Sequence, residues 1–480
     1  MMRQSAFHLL AKLVGLRPGE SRRVGSMFGL LGLIIATSYI LKPLRSSLFL
    51  SQFGAHQLPY VYMLVALVLG FVTAGFAWVV SRFNLKRVFI GGALLFASNL
   101  VLFWWALDAG WPYTGFVFYV WVSIFTVVMP SLFWLLAQYV FYSNEGRRLF
   151  STVTAGGLAG SIVGGGFTSL AVDKIGTSGL LFSAVLVLFA VAALVAWIES
   201  EEKDRITERR SALRRREMRQ LADKRTGGLA LIARSRYLTL ITLVTILISV
   251  TSTFVDYQFN AVAEQTFHTM DALTGFFGTF FASINALAFL LQLLLAGHIL
   301  NRLGVGIGLL LLPLALFTSS VGFLLFASLW TASALKLSDD GLSNSLNKSS
   351  LEILYLPIPL EVKNRAKAWL DMFVERVSRG VGGLIILLST TVVSLGVSQM
   401  SWLVLALVSP WMVLAFLLKG EYVKAFRRSL ARRDIDLADL TSHVRDQQSL
   451  SVLQHVLSGS DEKQTLYALQ LLRGNADENL

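Results

Sequence analysis

The sequence predicts an all-α polytopic membrane protein: twelve transmembrane helices in two six-helix halves, followed by a short helical tail. Three observations carry that reading. Twelve apolar stretches long enough to cross a bilayer can be marked along the chain. Hydrophobic residues make up 55% of its 480 positions and charged ones only 15%, and mean hydropathy is +0.63. A water-soluble chain of this length needs far more polar surface. The third observation is the alternation of Lys and Arg between loops. The basic gaps are the N-terminus (Arg3, Lys12, Arg17, Arg22, Arg23), Arg82 to Arg87, Arg147 with Arg148, Lys203 to Arg236, Arg302, Lys363 to Arg379, and the tail from Lys419. The intervening gaps at Asp108 to Tyr113, Asn260 to Asp271 and Leu395 to Ser401 hold no Lys or Arg; Lys174 is the one exception to the pattern. Short basic loops stay cytoplasmic, so both termini are expected there.

The expected spans run in order through 26–50, 59–80, 87–107, 114–142, 151–171 and 179–198, then 237–260, 274–297, 305–326, 328–356, 378–398 and 402–419. About 20 residues at ~1.5 Å each cross the ~30 Å hydrocarbon layer, so the longer first, fourth and tenth stretches tilt or project. The chain therefore divides into an N-terminal half (1–198), a basic cytoplasmic linker (199–236), a C-terminal half (237–420) and a cytosolic helical tail (421–480). The linker, with Arg209, Arg210, Arg214, Arg215, Arg216 and Arg219, reads as a tether and orientation signal in preference to a site for anionic lipid. Two echoes relate the halves. Thr37-Ser38 precedes Lys42 at the same intervals as Thr251-Ser252 precedes Asp256. Glu145-Gly-Arg147-Arg148 before Gly156-Gly157 parallels Glu361-Val-Lys363-Asn-Arg365 before Gly382-Gly383. Six plus six around a basic centre is the layout of the major facilitator fold, its halves related by an axis along the membrane normal.

Several function classes are excluded or disfavoured. The net charge of +13 lies in short loops flanking apolar runs, so it reports topology and no nucleic-acid partner. There is no cysteine, hence no disulfide, thiolate metal site or cysteine nucleophile. The apolar run from Ser26 is too long for a signal-peptide core, so no cleavage is expected. Gly304-Val-Gly306-Ile-Gly308 opens a span with no preceding strand and is not a nucleotide fingerprint. No Walker sequence, zinc-spaced His pair or hydrolase Ser elbow occurs, so no enzyme activity, cofactor or metal is expected. Gly156, Gly160 and Gly164 at four-residue intervals point to close helix packing in preference to phosphate cradling.

Ionisable residues inside spans cost ~2.5–3.5 kcal/mol each, so those present face a cavity or a partner. Lys42, Arg45 and Asp256 stand out in the entering helices of the two halves. The matched positions of Lys42 and Asp256 suggest a pair, or shared contact with substrate in a central cavity; snorkelling of Lys42 and Arg45 to the interface is the alternative. Pro43 between them favours a break that serves a cavity. In the tenth span Lys336, Asp340, Asn344, Lys348 and Glu352 recur every four residues as one polar face, widened by Asp339, Ser343 and Asn347. That face contacts water, substrate or another polar helix, with a static ion-pair ladder as the plainer reading. Tyr39, Trp134 and Tyr257 are aromatic cavity candidates, although Trp and Tyr at span ends are more often interface anchors.

Those residues carry a resemblance. Tyr39-Ile-Leu-Lys42-Pro-Leu-Arg45 resembles the first-helix motif of the ATP/ADP translocases of plastids and intracellular bacteria. Ser345 to Pro357 is similar to their tenth-helix signature, and Glu361 to Asp371, continuing to Arg376 and Gly382-Gly383, to the loop that follows. Asn144-Glu145-Gly-Arg147-Arg148-Leu-Phe matches the equivalent loop of the first half. The resemblance implies the twelve-helix carrier fold, substrate contacts at the positions named above, and gating or loop roles for Glu145, Arg147, Arg148, Glu361, Lys363, Arg365, Asp371 and Arg376. The chain departs from the family at Arg45-Ser46, where a Lys-Asp pair is usual, at Lys348 in an acidic position and at Leu351 in a Lys position. Lys42, Arg45, Lys336 and Lys348 still leave a basic lining suited to an anionic solute.

In the tail, Leu450, Leu453 and Leu457, then Leu466, Leu469 and Leu472, repeat at helical spacing around Gly459. This is similar to the opening of a HEAT-type array, which some bacterial relatives carry; one helix pair does not bury its own face, so a longer array or a simple amphipathic tail that recruits a cytosolic protein are the two readings. The sequence thus predicts a monomeric secondary transporter of the bacterial inner membrane, surrounded by lipid, moving a nucleotide or other phosphorylated anion. A phospholipid flippase on the same scaffold and a non-transporting receptor or scaffold are the alternatives.

Overall fold

The computed structural model describes residues 20–203, 205–206, 208, 232–233, 235–292, 294 and 297–432. The expectations for Arg3, Lys12 and Arg17, for the linker arginines Arg209 to Arg219 and for the leucine pattern of 450–472 lie outside the described residues. Every regular element described is helical. In order these are α1 (Ser21–Phe53), a 3-10 turn (Ala55–Gln57), α2 (Leu58–Arg82), α3 (Leu85–Asp108), α4 (Thr114–Val140), α5 (Ser143–Glu201), α6 (Arg236–Thr266), α7 (Met270–Leu291), α8 (Gly297–Leu325) and α9 (Leu329–Leu342). A π-turn (Ser343–Asn347), α10 (Lys348–Leu354), α11 (Leu360–Trp369), a second π-turn (Leu370–Val374), α12 (Glu375–Thr391) and α13 (Ser401–Arg432) complete the chain.

Among the described residues nine helices, α1 to α8 and α13, are long and apolar enough to cross a membrane. Side chains such as Phe71, Leu170, Trp330 and Val392 are more than 70% exposed, and exposed apolar residues recur along most of these helices. Apolar surface on this scale is unstable in water and at home in hydrocarbon. The chain is a multi-pass membrane protein.

The structure differs from the expected spans at the tenth and eleventh, and shows how two other boundaries are made. The break between the fifth and sixth spans, expected within 171–179, falls inside α5 at Gly176, whose φ of 64° and ψ of 176° lie where only glycine settles without strain. Gly304 does the same inside α8, at φ 77° and ψ 168°. Each supplies a turn that costs the chain no separate loop, at the boundary that the apolar pattern gives. The tenth expected span is broken into α9, a π-turn and α10, because its polar residues bond locally and across helices. The eleventh ends at Thr391, short of 398, although Val392 and Val393 continue the apolar run.

By its contacts the chain forms two compact units. Of the described residues, the first takes in those within 20–57, 68–208 and 263–286, and the second those within 58–67, 232–262 and 287–432. Helices α2, α6 and α7 thus each contribute to both.

In the first unit α1 and α5 lie backbone to backbone. A Cβ on Gly156 would stand 2.3 Å from the Phe28 carbonyl oxygen, one on Gly160 2.1 Å from that of Gly32, and one on Gly164 2.4 Å from that of Ala36. Only hydrogen fits there, as the glycine spacing predicts. Gly165 makes a second such approach: its Cβ would meet the Gly278 carbonyl oxygen at 2.9 Å. Ser47 and Thr274 share a hydroxyl hydrogen bond of 2.5 Å, and Asp271 Oδ1 accepts from the Thr177 backbone N–H and hydroxyl at 3.2 and 2.5 Å. Phe89, Phe118, Phe125 and Phe133 fill the apolar core between α1, α3, α4 and α5.

In the second unit Trp411 and Tyr422 of α13 are fully buried. Gln258 donates from Nε2 to the Val397 carbonyl and Ser401 Oγ at 3.0 and 2.9 Å, and Tyr237 donates to the Leu354 carbonyl at 2.7 Å. Buried polar groups that find such partners hold α6 against the loops beside it.

Candidate functional site

The chemistry of the second unit gathers on α9. Lys336 presents its ammonium to three carboxylates: it bonds to Asp256 of α6, to Asp340 Oδ1 at 3.0 Å one turn along its own helix, and lies 3.9 Å from Asp339 Oδ2. Ser252 Oγ donates to Asp339 Oδ1 at 2.8 Å. Arg379 of α12 approaches Asp256 Oδ2 at 4.0 Å and bonds Glu375 at 3.3 Å. The Lys336 and Asp339 side chains are 6% and 3% exposed, while Asp256 and Asp340 are each 29% exposed. A buried ammonium with this many acceptors is fixed in position.

Beyond it the polar row continues through the π-turn. Regular α-helix would swing the row by about 160° between Lys336 and Glu352, at 3.6 residues per turn. The π-turn takes one extra residue into its turn and brings the swing back to roughly 60°. Asn344 and Lys348 are exposed on this run. Glu352 is bonded by Lys367 of α11, whose ammonium also stands 5.7 Å from the Tyr355 ring centre. The expected single polar face is therefore two clusters joined by exposed polar residues. Lys363 and Arg365 are half-buried on α11, Asp371 is exposed in the second π-turn, and Arg376 of α12 keeps Nε buried without a hydrogen-bond partner.

The first unit presents a different arrangement. Lys42 holds its ammonium 4.3 Å from the centre of the Tyr39 ring. The Arg45 guanidinium lies 4.2 Å over Tyr119, donates from Nη1 to Ser123 Oγ at 3.3 Å, and leaves Nε buried without a partner. Tyr39 donates its hydroxyl to Asn285 Oδ1 at 3.2 Å and meets Phe281 edge to face. Among the described residues no carboxylate pairs with Lys42 or Arg45. Each cation rests on a ring face, Arg45 with a hydroxyl beside it, contacts that leave the charge uncancelled.

Glu145 anchors the start of α5. It accepts from the Tyr142 backbone N–H at 3.0 Å and from Arg205 at 3.2 Å, with Arg23 at 3.6 Å. Burial alone raises its carboxyl; the Tyr142 N–H, Arg205 and Arg23 outweigh it and hold it below the usual carboxylate range. Arg23 also bonds Glu202 at 2.9 Å and Arg22 bonds Glu201 at 2.7 Å. The side chains of Arg147, Arg148 and Glu361 lie outside the described residues.

The structure thus brings Asp256, Lys336 and Asp340 together, and groups Lys42 and Arg45 on α1. Trp134 packs against Phe133 and Phe150, and Tyr257 is buried on α6. Sequence reasoning placed Asp339 only as widening the polar face and did not single out Arg379, Lys367, Tyr119 or Asn285. Asp339 sits three residues from Lys336, a spacing that places it within reach of that side chain. Asn285 is an uncharged residue in an apolar helix, and only its tyrosine partner reveals it.

Comparison with known proteins then decides the family. A family model described as TLC ATP/ADP transporter matches residues 97–339, half of the chain. The chain belongs to the TLC ATP/ADP transporter family. No curated protein matches it in sequence. Among solved structures, a POT family transporter in complex with 5-aminolevulinic acid is 13% identical at a TM-score of 0.56, covering 84% of this chain and 96% of that one. The nucleoside transporter NupG is 12% identical at 0.57 (82% and 98% covered), and a D-xylose-proton symporter 13% identical at 0.55 (82% and 95% covered). At these identities the likeness concerns the fold, which is that of major-facilitator-type transporters. The TLC chain is therefore a secondary transporter, not an enzyme, and carries a small solute.

Proposed function

We propose that this protein is a twelve-helix alternating-access carrier that exchanges or takes up a nucleotide or another phosphorylated anion. The observation that carries the reading is the pair of cations on α1. Lys42 and Arg45 sit in an apolar helix with ring faces and hydroxyls as neighbours and no carboxylate partner among the described residues. Ionisable groups are retained at such positions for a ligand or pathway, and an uncancelled positive pair calls for a polyanion. Tyr39, half-buried beside Lys42, offers a ring on which a ring-bearing solute stacks. The count of twelve is supported by the nine long helices, the bend in α5, the α9–α10 run and α12. The basic-loop alternation supports a bacterial inner-membrane location with both termini cytoplasmic.

The test is uptake and counterflow in proteoliposomes with labelled ADP, a sugar phosphate and a fluorescent phospholipid. The reading expects saturable uptake of a phosphorylated solute, with KM raised about tenfold or more by Lys42→Ala, a loss of ~1.4 kcal/mol or more. Phospholipid movement with no soluble solute transported would refute it.

A further inference from the structure

We infer that the Lys336 centre is a proton-binding site, with the proton held on Asp339, and that its occupancy is coupled to solute movement. The inference rests on the carrier reading above and names its coupling ion.

Charge inventory is the first ground. Lys336 and Arg379 carry two positive charges, while Asp256, Asp339, Asp340 and Glu375 carry four carboxyls. Arg379 bonds Glu375 and stands 4.0 Å from Asp256, so among these groups two cations face four carboxyls, and Lys336 is shared by the three on α6 and α9. Among the groups named, full ionisation would leave an excess of two negative charges around a centre whose lysine is 6% exposed. Like charges sharing a site do not all ionise; one takes up a proton.

Geometry selects the carboxyl. Asp256 and Asp340 accept directly from the ammonium, whereas the nearer oxygen of Asp339 stops at 3.9 Å, beyond hydrogen-bond distance. Its other oxygen already accepts the Ser252 hydroxyl at 2.8 Å. A neutral Asp339 keeps that bond and carries its proton on Oδ2. It is also the least exposed of the three, at 3% against 29% for Asp256 and Asp340. The two exposed carboxyls give the buried one a route to water.

The exchange balances simply: water delivers H⁺, an O–H bond forms on Asp339, and the same bond breaks on release. Its consequence is mechanical. An ionised Asp339 competes for Lys336, and the lysine then loosens its hold on Asp256. Because Asp256 and Ser252 belong to α6 and the others to α9, loss of the proton shifts the tie between these helices from the Lys336–Asp256 pair to the Ser252–Asp339 bond. A bistable contact biased by one proton is what coupling requires.

Two measurements on the purified full chain test this. Infrared difference spectra across a pH step should show a protonated carboxyl C=O band that Asp339→Asn removes and the exposed Asp108→Asn leaves in place. Ser252→Ala, which keeps every ionisable group, should shift that band, and it serves if Asp339→Asn does not fold. In liposomes, an imposed pH gradient should accelerate labelled ADP uptake severalfold, and in Asp339→Asn the ratio of flux with and without the gradient should fall to unity. A spectrum with no band sensitive to Asp339 or Ser252 overturns the proton site. ADP flux indifferent to pH, or driven equally by a sodium gradient alone, overturns the coupling. If the band is present and no phosphorylated solute moves, the carrier reading fails while the proton site stands.

Discussion

Replacing Gly160 by alanine tests the interlock of α1 and α5 directly. The new methyl carbon would stand 2.1 Å from the Gly32 carbonyl oxygen and 2.8 Å from its carbonyl carbon. Both neighbours are backbone atoms of a packed helix and have no rotamer to yield. Ordinary contact requires about 3.3 Å, so the helices must part by roughly 1 Å over the turn concerned, and a gap of that size forfeits a quarter to a half of the dispersion energy of the atoms lining it. Overpacking of this kind costs ~1–3 kcal/mol, against which alanine returns up to ~1 kcal/mol of helix propensity. Gly166, on the same helix, has nothing within 4 Å of its Cβ position. Gly166→Ala therefore isolates the propensity gain. Detergent-solubilised protein should lose its monodisperse form a few degrees lower than wild type for Gly160→Ala, and no lower for Gly166→Ala. Equal midpoints for the two variants would refute the close approach.

Other perturbations follow from the same structure. Lys336→Ala leaves Asp256, Asp339 and Asp340 without their ammonium and should cost about 3–5 kcal/mol, partly recovered by adding Asp340→Asn, as read by thermal denaturation of both variants. Glu145 has its folded carboxyl held below its ordinary value, so its contribution is complete above the unfolded pKa near ~4.3 and disappears as pH falls through the lower folded value. Glu145→Gln should accordingly lower the melting point at pH 7 and flatten its fall below pH ~4.5; a variant whose acid profile overlays wild type would count against the network. Gly176→Ala forces a side chain into a backbone region reserved for glycine and should destabilise by ~1–3 kcal/mol, whereas Gly322→Ala, in open space within α8, should not.

Much of the architecture was legible because lipid imposes simple rules. Apolar length marks the helices, and basic loops mark their ends. The glycine ladder at Gly156, Gly160 and Gly164 was readable for the same reason: spacing alone states that two backbones meet. What stayed hidden depended on local backbone choice or on partners far along the chain. Gly176 and Gly304 break α5 and α8 through backbone conformations that no apolar count specifies. The matched positions of Lys42 and Asp256 suggested a pair, yet Lys42 lies on Tyr39, three residues earlier on its own helix, and Asp256 on Lys336, eighty residues later. The four-residue repeat from Lys336 to Glu352 named the right helix. It gave no sign that a π-turn divides it, since π-turns carry no strong sequence signature.

That π-turn has a consequence for chain length. Deleting a single residue between Ser343 and Asn347 would remove the turn and leave the phase unchanged, whereas closing the segment as regular α-helix with every residue kept would rotate everything downstream by about 100°. Lys336 and its carboxylates would stay where they are, while Glu352 would turn away from Lys367. The extra residue acts as a phase-setter, aligning two groups of charges that a uniform helix would point in different directions.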